Sequence, residues 1–424
     1  MSGIFSWLKR TFPILDSGEG RKARKAGPNN SKPIEKRAVP KAKLPRRVGA
    51  RANKAAAQAG AIPAAAPQPG LQLTRSAANP ILSPHELNDW ETQATFNPAA
   101  LAADGKVHLI YRAIGKDNVS VLGYAMTHDG IHVHERRADP AFFSRRKDDE
   151  PKVGAPIDYL SGGGGDGGCE DPRLTVIDDV VYLLYTAFDG WNSIRIALST
   201  IPLEDFLNRS WNWSEPVLIS PPGEIHKNWS LFPEKINGKY AVLSNISPNI
   251  RVNYFDSLED LKSEGQKIRL EYTKVTRKKV WDTWVRGAGP PPLKTKKGWL
   301  ILYHAMDASD PNRYKLGAML LDLKDPTKVL YRSSAPILEP DECYENEGFK
   351  AGVVYSCGAV ILDGKLYVYY GGADTVTCVA VADLKSFLDE LTSGGAPKVR
   401  GVAKPKGKTY DHVKTVKKKS ARLA

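Results

Sequence analysis

Asp104-Gly105-Lys106-Val107-His108-Leu109-Ile110-Tyr111-Arg112 sets a tight-turn pair before a run of strand-favouring side chains. The arrangement returns four times. Asp178-Asp179 leads into Val180-Val181-Tyr182-Leu183-Leu184-Tyr185, and Asn237-Gly238-Lys239 into Tyr240-Ala241-Val242-Leu243. Lys297-Gly298 leads into Trp299-Leu300-Ile301-Leu302-Tyr303-His304, and Asp363-Gly364-Lys365 into Leu366-Tyr367-Val368-Tyr369-Tyr370. A second strand follows, as in Leu122–Met126 and Ile194–Leu198. The turns recur roughly every 60–75 residues, long for a propeller blade of about 40–50 residues unless loops fill the difference. Helical periodicity is nearly absent; Leu384 to Leu391 is its clearest case. A pair of β-sandwiches would also supply many short strands, but five similar units favour radial repetition. The expected fold is all-β, a five-bladed β-propeller with disordered basic tails, and ligands of such a fold sit at one mouth of the central channel.

Charge is distributed in keeping with that division. The 424 residues carry a formal net charge of +14. Residues 1–70 hold a net +12 and residues 395–424 a net +9, which leaves about −7 for the middle. The basic character therefore belongs to the ends and gives no reason to read the body as a nucleic-acid-binding fold. Residues 16–70 are Lys, Arg, Ala, Pro and Gly with almost no aromatic side chain. Such a stretch cannot bury enough apolar surface to offset its ordering entropy. The expected boundaries are a disordered basic extension over 1–74, the propeller over 75–394 and a disordered basic tail over 395–424. The tails suit an anionic surface, RNA or lipid head groups; a solvated low-complexity tail is the plainer reading.

Cys169, Cys343, Cys357 and Cys378 form no CxxC pair and read as reduced thiols of a cytoplasmic protein. No apolar run is long enough to span a membrane. Met1–Leu15 lacks a continuous apolar core and a cleavage site, so it is not read as a signal peptide; a disordered leader is preferred to a short surface helix. Gly162-Gly163-Gly164-Gly165-Asp166-Gly167-Gly168 is followed by no Lys-Ser/Thr and no helix, so it reads as a flexible connection rather than a nucleotide loop. The eight histidines show no metal-ligand spacing, and no metal is expected.

Polar residues gather where the aligned strands end: Arg112, His304, and Asp374 after Gly372-Ala373. Gly168-Cys169-Glu170-Asp171-Pro172-Arg173 adds two carboxyls and a cation. Pro172 is expected to push Asp171 into an extended conformation, its carboxylate pointing into the channel. Equivalent polar positions in a repeat imply a pocket at the axis.

The motifs occur in a fixed order. They are Asn79-Pro80-Ile81-Leu82, Phe96-Asn97-Pro98-Ala99, Tyr111-Arg112-Ala113 and Glu170-Asp171-Pro172-Arg173, then Leu231-Phe232-Pro233-Glu234-Lys235-Ile236 and Gly287-Ala288-Gly289-Pro290-Pro291, then Gly298-Trp299-Leu300 with Tyr303-His304, and Gly371-Gly372-Ala373-Asp374. Together they resemble glycoside hydrolase family 130, the β-mannoside phosphorylases (β-1,4-mannosyl and mannooligosaccharide phosphorylases among them) and related β-mannosidases, over about residues 75–392.

The resemblance implies a five-bladed propeller that phosphorolyses β-mannosides with inversion, giving α-mannose 1-phosphate. A phosphorylase needs no base to activate water, because phosphate is already an anionic nucleophile. It needs an acid and cations. The resemblance makes Asp171 the proton donor, acting through a sugar hydroxyl, with its pKa raised by burial or by Glu170. It makes Lys227, Arg286 and His304 phosphate ligands, and Asn97, Arg112, Arg173, Asn228 and Asp374 contacts to the sugar or phosphate. Trp229 is the first tryptophan expected to stack on sugar. Where many members carry His-Arg, this chain has Ser244-Asn245, the loss of a bidentate contact of about 1.5–3 kcal/mol. A β-mannoside hydrolase is therefore the alternative, with Asp282 or Asp307 as base; a non-catalytic glycan-binding propeller is another. No cofactor beyond phosphate as co-substrate is expected. The expected partners are an oligosaccharide, phosphate, the anionic surface for the tails and a second copy of the chain.

Overall fold

The computed structural model describes residues 71, 73–142, 168–188, 194–269 and 280–393. Both basic tails beyond these limits, Met1–Leu15, most of the Gly162–Gly168 run and Trp191 lie outside the described residues.

The chain is β-rich. A two-residue strand, β1 (Thr74–Arg75), precedes five antiparallel units. The first unit is β2 (Ala94–Ala103), β3 (Lys106–Ile114), β4 (Ser120–Thr127) and β5 (Val133–Arg136). The second is β6 (Gly168–Ile177), β7 (Val180–Phe188), β8 (Ile194–Pro202) and β9 (Val217–Leu218). The third is β10 (Ser230–Leu231), β11 (Tyr240–Asn245) and β12 (Arg251–Phe255). The fourth runs β13 (Trp284–Ala288), β14 (Leu293–Thr295), β15 (Gly298–Asp307), β16 (Asp310–Leu321) and β17 (Val329–Arg332). The fifth is β18 (Val354–Leu362), β19 (Lys365–Gly372) and β20 (Val376–Asp383), and β1 pairs antiparallel with β20. The chain's first described strand thus completes the sheet made by its last.

Four of the five turns that announce the repeat are hairpin turns between the first and second strands of a unit; the turn at Lys297 lies between β14 and β15. Asp104 and Gly105, Asp178 and Asp179, Asn237 and Gly238, and Asp363 and Gly364 all have positive φ at both central positions. That pattern matches the right-handed twist of the flanking strands, which is why Asp, Asn and Gly stand there. The Leu384 to Leu391 helix is present as Leu384–Ser393 and buries Phe387, Leu388 and Leu391.

Each core cluster joins two neighbouring units. Ile110 and Leu122 pack with Leu174, Val181 and Leu183. Leu184 and Ile196 pack with Leu231 and Val242, and Leu243 with Trp299 and Ile301. Leu300 and Leu316 pack with Leu366 and Val368, and Leu109 and Tyr111 with Tyr367, Tyr369 and Val379. The last of these joins the fifth unit to the first. Alternating strands present one apolar set to each side, so a middle strand such as β3 serves two clusters at once. Among the described residues no helix is long and apolar enough to cross a membrane.

Candidate active site

Four of the five units carry an irregularity in the first strand, and the polar residues sit there. The register slips between Phe96 and Ala99 in β2, between Glu170 and Arg173 in β6, between Val285 and Gly287 in β13, and between Tyr355 and Gly358 in β18. A bulge inserts an unpaired residue and re-aims its side chain. Asn97 and Asp171 occupy the first two slips with φ of 47° and 52°, each just before a proline. Asp171 is therefore left-handed and not extended as Pro172 suggested. The proline does disfavour the right-handed helical region, but the bulge selects the other small well. In the third unit Asn228, two residues before β10, is also left-handed, at 64°.

These positions converge. Asn97 Nδ2 donates to Asp171 Oδ1 at 2.8 Å. Arg112 stands 3.4 Å from the same oxygen and donates to Glu170 Oε1 at 2.7 Å, its Nε held by Ser120 Oγ at 2.9 Å. Lys227 Nζ reaches Glu170 Oε2 at 3.4 Å. Asp171 and Glu170 are both 6% exposed. Burial pushes the Asp171 carboxyl up, but Arg112, Lys227, the Asn97 hydrogen bond and Arg173 outweigh it and hold it below the usual carboxylate range. The expected elevation is thus reversed. Asp374 behaves oppositely: burial raises it, against Lys350 and Arg112, and Asp171 and Glu170 push the same way as burial.

Arg173 and Asn228 are structural staples as much as candidate contacts. Arg173, 2% exposed, donates from Nε to Gly289 O (2.8 Å), from Nη1 to Asp171 O (2.9 Å), and from Nη2 to Asn228 Oδ1 (2.8 Å) and Ala288 O (3.2 Å). The second, third and fourth units are thereby tied at one guanidinium. Asn228 Oδ1 also accepts from Tyr355 Oη at 2.8 Å, while its Nδ2 donates to Arg286 O at 3.3 Å. Gly287 is required beneath it, since a Cβ there would lie 2.2 Å from Asn228 Nδ2. Gly371 gives way to Asn97 for the same reason, with Oδ1 at 2.2 Å.

His304 is not a cation here. Burial, with Arg173 next, lowers its pKa to about 3. Its Nε2 accepts from Ser356 N–H at 3.0 Å, which leaves the proton on Nδ1, and the ring stacks on Tyr355 at 3.8 Å. Arg286 lies 5.8 Å above the Tyr314 ring.

Other expectations are corrected. Trp229 is 1% exposed and packs with Leu184, Leu198 and Val242, so no sugar can reach it. Asp282 is 1% exposed and locked between Tyr303 Oη (2.9 Å) and Arg332 Nε (2.8 Å), which removes it as a base for water. Asp307 accepts from Ser309 N and Oγ at 2.9 Å in a turn, and those bonds hold its pKa down, which is poor for a base. Asn245 donates to Ser247 O at 2.7 Å and lines a cleft of about 260 Å³ with Pro248–Val252 and Thr327, which includes none of the residues joined to Asp171. The sequence reading left Tyr355, Ser120 and Lys350 unnamed, and no motif marks them.

The site can hold an anion against a buried carboxyl: Arg112 and Lys227 face Glu170 and Asp171, and Arg173 lies behind. Comparison with known proteins identifies the family. The family model of the β-1,4-mannooligosaccharide phosphorylases, glycoside hydrolase family 130, matches residues 72–393. A 1,2-beta-oligomannan phosphorylase of Thermoanaerobacter sp. (strain X514) is 39% identical over 327 residues, 74% of this chain and 98% of the relative. The β-1,2-mannobiose phosphorylase of Listeria innocua in complex with β-1,2-mannobiose superposes with a TM-score of 0.57 at 27% identity, covering 75% of this chain and 99% of that one. A family 130 structure described among glycoside hydrolases that target β-1,2 mannosidic linkages in Candida mannan superposes with a TM-score of 0.59 at 26% identity, covering 74% and 94%.

Proposed function

The chain belongs to glycoside hydrolase family 130, and from that premise we propose that it is an inverting β-mannoside phosphorylase acting on β-1,2-linked mannooligosaccharides. The observation that carries the reading is Asp171 itself, a buried carboxyl bonded to Asn97 and faced by Arg112, with Lys227 and Arg173 in its field. The 39% identical oligomannan phosphorylase supports the substrate.

In the proposed step a phosphate oxygen bonds to the anomeric carbon while the bond from that carbon to the bridging oxygen breaks. The bridging oxygen takes a proton that starts on Asp171 and passes through a sugar hydroxyl. Arg112, Lys227 and Arg286 hold the phosphate; His304, neutral, keeps Tyr355 in place. Phosphate is the co-substrate, and no other cofactor enters. Bound phosphate supplies the rise in the Asp171 pKa that the step needs. The anion offsets the cations that hold the Asp171 carboxyl down, whereas burial remains.

The five units, their cyclic core clusters and the β1–β20 pairing support a five-bladed propeller around this site. The reduced cysteines fit a cytoplasmic enzyme. The basic tails would then hold it at an anionic surface: deleting them should abolish a salt-sensitive association with RNA or anionic vesicles and leave turnover intact.

Incubation with β-1,2- and β-1,4-mannobiose, with and without phosphate, tests the reaction. Phosphate-dependent release of α-mannose 1-phosphate from the β-1,2 disaccharide is expected. Sugar release indifferent to phosphate would establish the hydrolase, the reading that Asn245 and the hydrolase neighbour favour.

A further inference from the structure

Phe349 is 61% exposed, and among the described residues only Leu87 and Tyr254 are other large apolar side chains left so open. It sits on a loop, residues 347–352, that is rigidly mounted. Phe349 N donates to Thr375 Oγ1 and Lys350 N to Ala373 O, both at 3.0 Å. Gly352 N and Val353 N donate to Glu345 O at 2.9 and 3.1 Å. Glu345 is wholly buried, gripped by Arg75 through two bonds of 2.8 Å and by Tyr370 Oη at 2.8 Å. Gly348 presses so closely on Thr375 that a Cβ would lie 2.3 Å from its Oγ1. The loop is therefore laid along Ala373–Thr375, about one interstrand spacing of 5 Å from the backbone that carries Asp374.

Lys350 lies beside it. Its Nζ is 4.3 Å from the centre of the Tyr314 ring, the ring that Arg286 also approaches. It makes no ion pair among the described residues, and Asp374 feels its charge. A flat apolar ring held open to water on a fixed loop contributes little to the fold, because its burial is forgone. A pyranose offers what it lacks: an apolar C–H face, with hydroxyl groups around the edge for an ammonium donor.

We propose that residues 347–352 form an additional sugar subsite next to Asp374. Phe349 stacks on a mannose ring beyond the two that flank the scissile bond, and Lys350 donates to its hydroxyls. The enzyme accordingly favours chains of three or more mannoses over the disaccharide. This rests on the oligomannoside reading above.

Calorimetric binding of β-1,2-mannobiose and β-1,2-mannotriose tests it, with the full chain carrying Asp171→Asn so that neither sugar is consumed. The triose should bind about tenfold more tightly than the biose. Adding Phe349→Ala should erase that ratio and leave the biose Kd within about twofold; Lys350→Met should erase part of it. Equal affinity for the two sugars, or a ratio unchanged by Phe349→Ala, would overturn the subsite. Should Asp171→Asn not fold, the ratio of kcat/KM for triose to biose, with and without Phe349→Ala, gives the same answer. Failure of the reaction reading looks different: wild-type turnover then ignores phosphate while the Phe349-dependent ratio persists. Binding of neither sugar would remove both.

Discussion

Asn97 and Asp171 meet at 2.8 Å, each left-handed, each before a proline, each at a register slip in the first strand of its unit. The contact joins equivalent positions of two repeats. A left-handed residue other than glycine is uncommon, and two of them bonded to each other at one site are held by the surrounding fold.

Replacing Asn97 with Ala removes a donor to the Asp171 carboxylate. The group then loses part of what holds its pKa down. The limb of the pH–rate profile that belongs to Asp171 should move to higher pH, with kcat/KM lowered about tenfold. Asp171→Asn should lose about 10²–10⁴ in turnover, the usual contribution of a positioned acid. Unshifted profiles in Asn97→Ala would show that this bond does not tune the acid.

Lys227→Met tests the anion site. Its side chain is one-third exposed and among the described residues pairs only with Glu170, so the fold should tolerate the change. The KM for phosphate should rise about 10–100-fold, the equivalent of one charge-assisted contact. The KM for the mannoside should rise less than about threefold. Initial rates over a grid of both substrates separate the two.

Asp282→Asn leaves the half-buried Arg332 without its buried carboxylate partner. Breaking a buried ion pair costs about 3–5 kcal/mol. The urea midpoint should fall accordingly, while the ratio of rates with and without phosphate stays unchanged. A folded variant that lost only its phosphate-independent hydrolysis would return Asp282 to the role of base.

Three histidines make the protein sensitive to acid. Burial lowers His304 to about 3, and His108 and His226 each to about 4. Their unfolded value is about 6.5. Between those limits the unfolded chain binds protons that the folded chain refuses, so stability rises with pH. The contribution is complete above about pH 6.5 and is lost as pH falls toward 4 and then 3. Each histidine adds a slope of up to about 1.4 kcal/mol per pH unit. Urea unfolding at pH 7 and pH 5 should show the loss, and His304→Gln should flatten it. Equal midpoints at the two values would contradict the burial of these rings as neutral groups.

Residues adjacent in sequence show where sequence reading stops. In a regular strand Glu170 and Asp171 would point to opposite faces. The slip in β6 puts both on Arg112, so Glu170 becomes a partner of the cations and not the repulsive neighbour that raises Asp171. Trp229 beside Lys227 suggested a sugar platform, and it is core. Phe349, in no motif, is the exposed ring.

The sequence by itself determined the repeat, because the Asp-Gly and Asn-Gly pairs and the alternating strands are local properties that each unit satisfies alone. It also determined the family and the identity of Asp171 as the residue to test, because ordered motifs survive in the linear text. Only the tertiary structure decided which side chains share the site and in which direction their pKa values move. Those directions depend on which side chains from different units come within about 4 Å of one another, where Coulomb and desolvation terms are large. Bulges in separate strands set that approach, and no single stretch of sequence contains it.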